Sequence, residues 1–350
     1  MDELAGRLGL DPIELRLRNE PDRDPEKGLP WSSRALARAL REGAARFGWE
    51  RRAAEPRSMR DGRFLVGNGV ASATYPANRL PSAARVRLTA NGRATVETAA
   101  TDIGTGTYTI LAQIAADALG VRPDAVEVVL GDTDLPRTPG SGGSWGAMSY
   151  GTAVREACDA LRAGLGVAEA RGDLLAAIRA RGRAEAVGTA NAKPPEPTAS
   201  SHAFGAHFAE ARVDPDTGEV RVLRMLGVFG VGRVMNAETA RSQLMGGMVW
   251  GLGMALTEES VLDGRFGHFV NADLAEYHLP VNADVRGIEV VVLDEEDDSV
   301  SPLGGKGLGE VGIVGAAAAI ANAVHHATGV RVRSLPITLD KVLGGLEAAA

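Results

Sequence analysis

Residues 303–315 read LGGKGLGEVGIVG, and the rest of the chain is read outward from them. Glycines at 304, 305, 307, 309 and 312 let the main chain take positive φ and come close to a ligand. The only charges are Lys306 and Glu310. An apolar run, Ile313 to Val324, follows and is long enough for a buried helix, so Glu310 falls in or just before its first turn. A lone carboxylate between backbone amides and an apolar body suits a tuned base or a ligand contact. A plain glycine-rich turn with a glutamate facing the helix dipole accounts for the same residues. Gly307 to Gly312 matches G-x-G-x-x-G but is no dinucleotide fingerprint. The acidic run Asp294 to Asp298 and Pro302 precede it instead of a strand, and no acid occurs between Glu310 and Asp340.

Bulk properties narrow the field. The chain has 350 residues, 45% of them hydrophobic and 24% charged, enough for two domains of ordinary globular composition. A net charge of -7 argues against general nucleic-acid affinity. Cys158 is the one cysteine, which excludes an internal disulfide, a Cys-ligated zinc site and an iron–sulfur cluster built by this chain alone. His325 and His326 are adjacent, so they point to different faces and pair poorly as metal ligands. The start carries no basic, apolar leader, and the longest apolar stretch, 311–327, contains Gly, Asn and two His and is expected to be too short and polar for a bilayer. The expected compartment is the cytoplasm, or the periplasm where a partner carries an export signal.

Two further loops share the character of the first stretch. Asp102-Ile-Gly-Thr-Gly-Thr107 precedes a helix expected over 108–119, and Gly-Ser-Gly-Gly-Ser at 140–144 precedes one expected over 149–167. Glycines, threonines and serines before a helix offer amides and hydroxyls to an anion. Neither is a Walker loop, since no Gly-Lys-Ser/Thr follows. Trp145 can pack on a flat ligand or serve as core. Strands are expected at 64–70, 86–88, 94–98, 126–130, 202–213, 220–228, 261–270 and 288–293, with Asn91-Gly92 and Asp214 to Gly218 as hairpin turns. Asp11-Pro12 starts a short lead-in helix, and Ser32 or Ser33 is expected to cap another that runs to Phe47. Residues 168–200 read as Ala/Arg-rich helix followed by a Pro-containing linker. A helix from Ala240 to Leu256 carries Gly246, Gly247, Gly251 and Gly253, which cost stability unless another backbone or a ligand presses close. The expected organisation is a helical lead-in at 1–60, a first lobe at 61–190, a linker at 191–200 and a second lobe at 201–350 that carries Glu310.

DIGTGTYTILAQIAAD, the GSGGS loop, HFAEARVDPDTGEVRVLRM, the 233–247 segment and KGLGEVGI together resemble the molybdenum-binding subunit of the xanthine dehydrogenase and aldehyde oxidase family, most nearly the bacterial aldehyde oxidoreductase type. The resemblance covers nearly the whole chain and implies an α+β, two-lobed cofactor domain with mixed sheets and packed helices. It implies molybdopterin cytosine dinucleotide as cofactor, its molybdenum held by the pterin dithiolene and not by side chains. It implies oxidation of aldehydes or N-heterocycles with oxygen from water. The glutamate of the family's KGxGE motif falls on Glu310, which would be the general base. By the same carry-over Ile103, Gly104 and Thr105 contact the cofactor from the first loop, and Gly146 and Ala147 from the second. Arg233, Val234, Met235, Asn236, Ala237, Glu238, Thr239 and Gln243 wrap the dinucleotide, and Lys306, Gly307, Leu308 and Gly309 approach the pterin. Partners implied are a [2Fe-2S] subunit, a FAD subunit and a separate chain carrying the front half of the family's longer subunit. The rival readings are a cofactor-binding or docking fragment without activity of its own and, on the two Gly/Ser loops, a nucleotide-binding protein of another kind.

Overall fold

The computed structural model describes residues 1–167 and 173–348. The lead-in forms helices α1 (Asp2–Leu8), α2 (Pro12–Arg18) and α3 (Leu36–Phe47). The Asp11 carboxylate caps α2 by accepting from the Ile13 and Glu14 amides, with Pro12 at the first helical position. The expected serine cap of α3 is corrected: the helix follows Ala35 and has no side-chain cap. Both serines are engaged elsewhere, because Ser33 donates to Glu295 and Ser32 to Asp297.

Strands β1 (Met59–Asp61), β2 (Phe64–Pro76), β3 (Ser82–Thr89) and β4 (Ala94–Glu97) lead to helix α4 (Thr107–Leu119). Strand β5 (Val126–Val129), helices α5 (Gly146–Gly164) and α6 (Leu174–Ala180) and strand β6 (Glu185–Ala192) follow. Then come β7 (His202–Val213), β8 (Val220–Gly230), α7 (Ala237–Leu256), the short pair β9 (Leu262–Asp263) and β10 (His268–Phe269), and β11 (Ile288–Val292). Helices α8 (Val311–Val314), α9 (Ala316–Thr328) and α10 (Leu339–Ala348) close the chain. Two expectations are corrected. The Ala/Arg-rich stretch is not one helix: residues 168–172 lie outside the described residues, and β6 occupies 185–192. Its small residues let α5 lie directly on it, since a Cβ at Gly188 would strike the Ala157 carbonyl. The strand expected over 261–270 shrinks to two residues on each side of a turn closed from the Gly267 amide to the Asp263 carbonyl.

The strands form a five-stranded sheet, β1-β2-β7-β8-β11, and a four-stranded sheet, β5-β4-β3-β6. Only β8–β11 and β4–β5 pair in parallel among these, so the architecture is the mixed α+β one expected. The lobe boundary is corrected. β2 pairs antiparallel with β7 from Leu65↔Val213 to Pro76↔His202, so it belongs to the larger sheet and not to a first lobe starting at 61. Period-2 alternation reveals which faces a strand presents; it does not reveal the neighbour it pairs with.

Burial of apolar surface holds both lobes. Helix α3 covers one face of the larger sheet, with Leu40 and Phe47 packed on Val70, Phe208 and Leu226. Helices α7, α9 and α10 cover the other through Leu244, Met248, Ile320, Val324 and Leu346. The segment Val311–Thr328 is long and apolar enough to cross a membrane on those counts alone, but 61% of it is buried here and its apolar residues pack into this core. The smaller lobe has its own core around Leu88, Val96, Leu111 and Leu161, which Val300 and Leu303 join from the far end of the chain.

Candidate active site

The seam between the lobes holds a cleft of about 340 Å³. Its floor is the 306–310 stretch. Two backbone bonds, from the Lys306 amide to the Val231 carbonyl and from the Arg233 amide to the Gly304 carbonyl (each 2.8 Å), pin it to the end of β8. Residues 307–309 then lie flat against Ser144, and a Cβ at Gly307 would collide with the Ser144 carbonyl. From α7, Gln243 donates to the Gly309 carbonyl at 2.9 Å. Glu310 sits directly before α8, as its place in the sequence predicts. Behind it, the fully buried His207 of β7 meets the Gly312 carbonyl through Nε2 at 2.8 Å. Burial pushes the His207 pKa down to about 4, so the ring is neutral, and the carbonyl partner assigns its proton to Nε2. The close packing of Gly247 on Gly312 and of Gly251 on Ala316 explains two of the four glycines of α7.

The two Gly/Ser loops form the walls. In the first, the Asp102 carboxylate accepts from the Gly104 amide (2.8 Å) and from those of Gly106 and Tyr108 (3.3 Å each). Burial alone would raise its pKa, but these backbone donors outweigh that effect and hold it below the usual carboxylate range. In the second, α5 has no side-chain cap. Trp145 does not face the cleft: its indole donates to the Gly140 carbonyl at 2.7 Å and closes its own loop. A hydroxyl contact at 2.7 Å, Thr101 to Ser141, ties the two loops together.

Among the described residues, Glu310 is the only acid that lines the cleft. Ser144 Oγ donates to its Oε2 at 2.5 Å. The Tyr75 hydroxyl, from the end of β2, is a second donor. Burial pushes the Tyr75 phenol up to about 12, and its hydrogen bond to Glu310 with that group's charge adds to the shift. The second loop and β2, distant in sequence, thus converge on one carboxyl group.

Of the residues expected here, Ile103, Thr105, Gly146, Ala147, Arg233, Met235, Asn236, Thr239, Gln243 and Lys306 to Glu310 line the cleft. Gly104, Val234, Ala237 and Glu238 do not. Asn236 also caps α7 and accepts from the Glu238 and Thr239 amides. Lys306 contributes only main chain. Its side chain is fully buried on the far side, with Nζ bound to Ser33, 3.0 Å from Glu295 and 3.4 Å from Asp297. Sequence reading missed Tyr75, Ser144 and Trp250. Ser144 carried a signal, being one of the two hydroxyl residues of the Gly-Ser-Gly-Gly-Ser loop. Tyr75 and Trp250 carried none.

A sequence profile of the molybdopterin cofactor-binding domain matches residues 42–286. The chain belongs to that family. The aldehyde oxidoreductase molybdenum-binding subunit of Escherichia coli strain K12 is 46% identical over 365 residues, which cover 99% of this chain and 50% of that protein. A putative xanthine dehydrogenase molybdenum-binding subunit of the same strain is 32% identical over 97% of this chain and 50% of that protein. The crystal structure of the Desulfovibrio gigas aldehyde oxidoreductase superposes with a TM-score of 0.81 at 26% identity, covering 99% of this chain and 40% of that one. Within the family, then, this is a chain of the xanthine dehydrogenase and aldehyde oxidoreductase molybdenum-binding type, spanning about half the length of these two curated relatives.

The cleft fits such a cofactor. Glycine main chain and an uncapped helix start face it, and Glu310 is the one carboxylate that would oppose a phosphate. No group of three His, Cys, Asp or Glu side chains able to hold a metal occurs among the described residues, so a metal seated here would depend on ligands brought by the cofactor.

Proposed function

We propose that this chain forms the cofactor bed and supplies the proton acceptor of a molybdenum hydroxylase that uses molybdopterin cytosine dinucleotide to oxidise aldehydes or N-heterocycles, with water as oxygen source. The bound cofactor would supply the two-electron redox chemistry at its metal. The chain's own residues bind, orient and take up a proton. Glu310 is the base: among the described residues it is the only carboxylate of the cleft, its carboxyl group is held from β2 and the second loop, and Gln243 of α7 fixes the peptide before it. Ile103 and Thr105, with Gly146 and Ala147 opposite, would flank the cofactor. Arg233, Asn236, Thr239 and Gln243 would hold its nucleotide arm, and the main chain of Lys306 to Gly309 would lie against the pterin.

Electrons would leave through partner subunits with [2Fe-2S] and FAD, because Cys158 is the only cysteine and is buried. The polypeptide by which the relatives exceed this chain would cover one exposed arm. No residue from 256 to 292 is buried. Phe266 is 73% and Leu274 82% exposed there, and Trp250, at the cleft wall beside the arm's start, is 64% exposed. Apolar surface of that extent marks an interaction site.

The test is Glu310→Gln in the assembled, molybdenum-loaded complex. Loss of a general base lowers turnover by roughly 10²- to 10⁴-fold. Turnover within a few-fold of the parent, at equal metal content, refutes the assignment. The second reading, a docking fragment without activity, draws on the half-length match. Aldehyde oxidation by the purified chain alone would dispose of it.

A further inference from the structure

Ser144 sits in the left-handed region, with φ +56°, directly after Gly143 at +51°. Arg57 is the only other non-glycine residue with positive φ among the described residues. A left-handed conformation costs a serine on the order of 1 kcal/mol and a glycine almost nothing. What serine adds here over glycine is a hydroxyl, and that hydroxyl's partner is Glu310, at 2.5 Å. The opposing glycine stretch is shaped for the same contact. Gly307 leaves room for the Ser144 carbonyl, and a Cβ at Gly309 would come within 3.1 Å of Ser144 Oγ. Removing side chains at 307 and 309 is what lets the serine reach past them to residue 310.

We infer that Ser144 is a positioning residue: its strained backbone aims the hydroxyl at Glu310 Oε2 and fixes the carboxyl group before cofactor or substrate arrives. The inference rests on Glu310 being the base. The groups facing Glu310 divide the work. Tyr75 donates from β2, Gln243 holds the peptide in front of the carboxylate, and His207, neutral, holds the peptide behind it. Arg233 lines the same cleft, and the Lys306 ammonium is turned away into its own carboxylates. Ser144 is therefore the one donor to Glu310 from the smaller lobe, and it couples that lobe to the reacting group. A hydrogen bond to a charged acceptor that fixes geometry in this way acts on the rate of the chemical step more than on substrate binding.

Two variants separate hydroxyl from backbone. Ser144→Ala loses the hydroxyl and keeps the strain; Ser144→Gly loses the hydroxyl and relieves the strain. The first measurement is isotope-edited infrared spectroscopy of the cofactor-free chain, with the Glu310 carboxylate band assigned by its loss in Glu310→Gln. Both serine variants are expected to shift that band. In the assembled complex, both are expected to lower kcat for an aldehyde about ten- to hundredfold, the range of a charged hydrogen bond, with KM within twofold. An unmoved band in both variants overturns the inference. So does Ser144→Gly at parent kcat, which would assign the effect to backbone strain. If Glu310→Gln is inactive while both serine variants match the parent, this inference fails and the base stands. If Glu310→Gln turns over like the parent, both fall.

Discussion

The loops at 102–107 and 140–145 both combine glycines with hydroxyl residues, and each opens a helix of the smaller lobe, yet they meet the cleft in opposite states. The first satisfies itself: Asp102 takes up the amides that its glycines expose, and the loop is complete without any ligand. The second leaves α5 without a side-chain cap, folds its tryptophan inward and aims its serine at Glu310. A glycine-rich turn before a helix is thus no site in itself. What matters is whether a nearby side chain already occupies the donors. The first loop is a rigid wall, and the second is a working surface.

That contrast can be broken most forcibly at the second loop. Gly307→Ala pushes a Cβ into the Ser144 carbonyl, with backbone on both sides and little room to yield. Overpacking of this kind is expected to cost about 2–4 kcal/mol in thermal or urea unfolding. Gly104→Ala is the control in the first loop. It has open space around it but φ +97°, so a loss of about 1 kcal/mol is expected from strain alone. Equal losses would mean that the contact with Ser144 bears no load.

Acid should sharpen the contrast next. The His207 pKa lies near 4 in the folded chain against an ordinary 6.5, so the unfolded chain binds the proton first. The stability from its neutral form is whole above pH 6.5. It falls by up to roughly 1.4 kcal/mol per pH unit as pH drops toward 4. His326, wedged between the Asn68 amide and the Ala53 carbonyl, has its pKa lowered in the same direction and adds to the loss. Asp102 has a lowered pKa as a carboxyl group, so its contribution persists through this window and disappears only below the ordinary value of 3.8. Urea midpoints flat from pH 7 to 4.5 would contradict the buried neutral His207. The smallest effect is expected from Asp102→Ala, about 1 kcal/mol for the lost hydrogen bonds to the loop amides, leaving the Glu310 carboxylate band in place. A moved band would show that the loops are not independent.

Much of this architecture could be read beforehand, and the rest could not, for definite reasons. Most strands of both sheets show in their alternation, β1 and β6 excepted, and Asp11-Pro12 announced its cap. The convergence of the KGLGE stretch with Gln243 and the two loops followed from a joint pattern of motifs. Partner choice between strands did not, so β2 was assigned to the wrong sheet and Tyr75 went unnoticed at its end. Lys306 was expected to approach the pterin, but sequence gives a side chain's charge without its direction. Its true partners, Glu295 and Asp297, lay in an acidic run that reads as solvated loop. Ser32 and Ser33 resembled helix caps until that same run claimed them.

The pairing of Pro76 with His202 has a consequence for how such a molecule could be assembled. The polypeptide leaves the host sheet and returns to it at facing residues, with Ala77 still bonded to Ser201, so everything between them is an insertion at the tip of a hairpin. A module with that topology can be acquired or exchanged whole while the recipient keeps its ladder intact. Val300 and Leu303, reaching into the inserted core from the distant tail, are the grip that turns a passenger into half of a crevice.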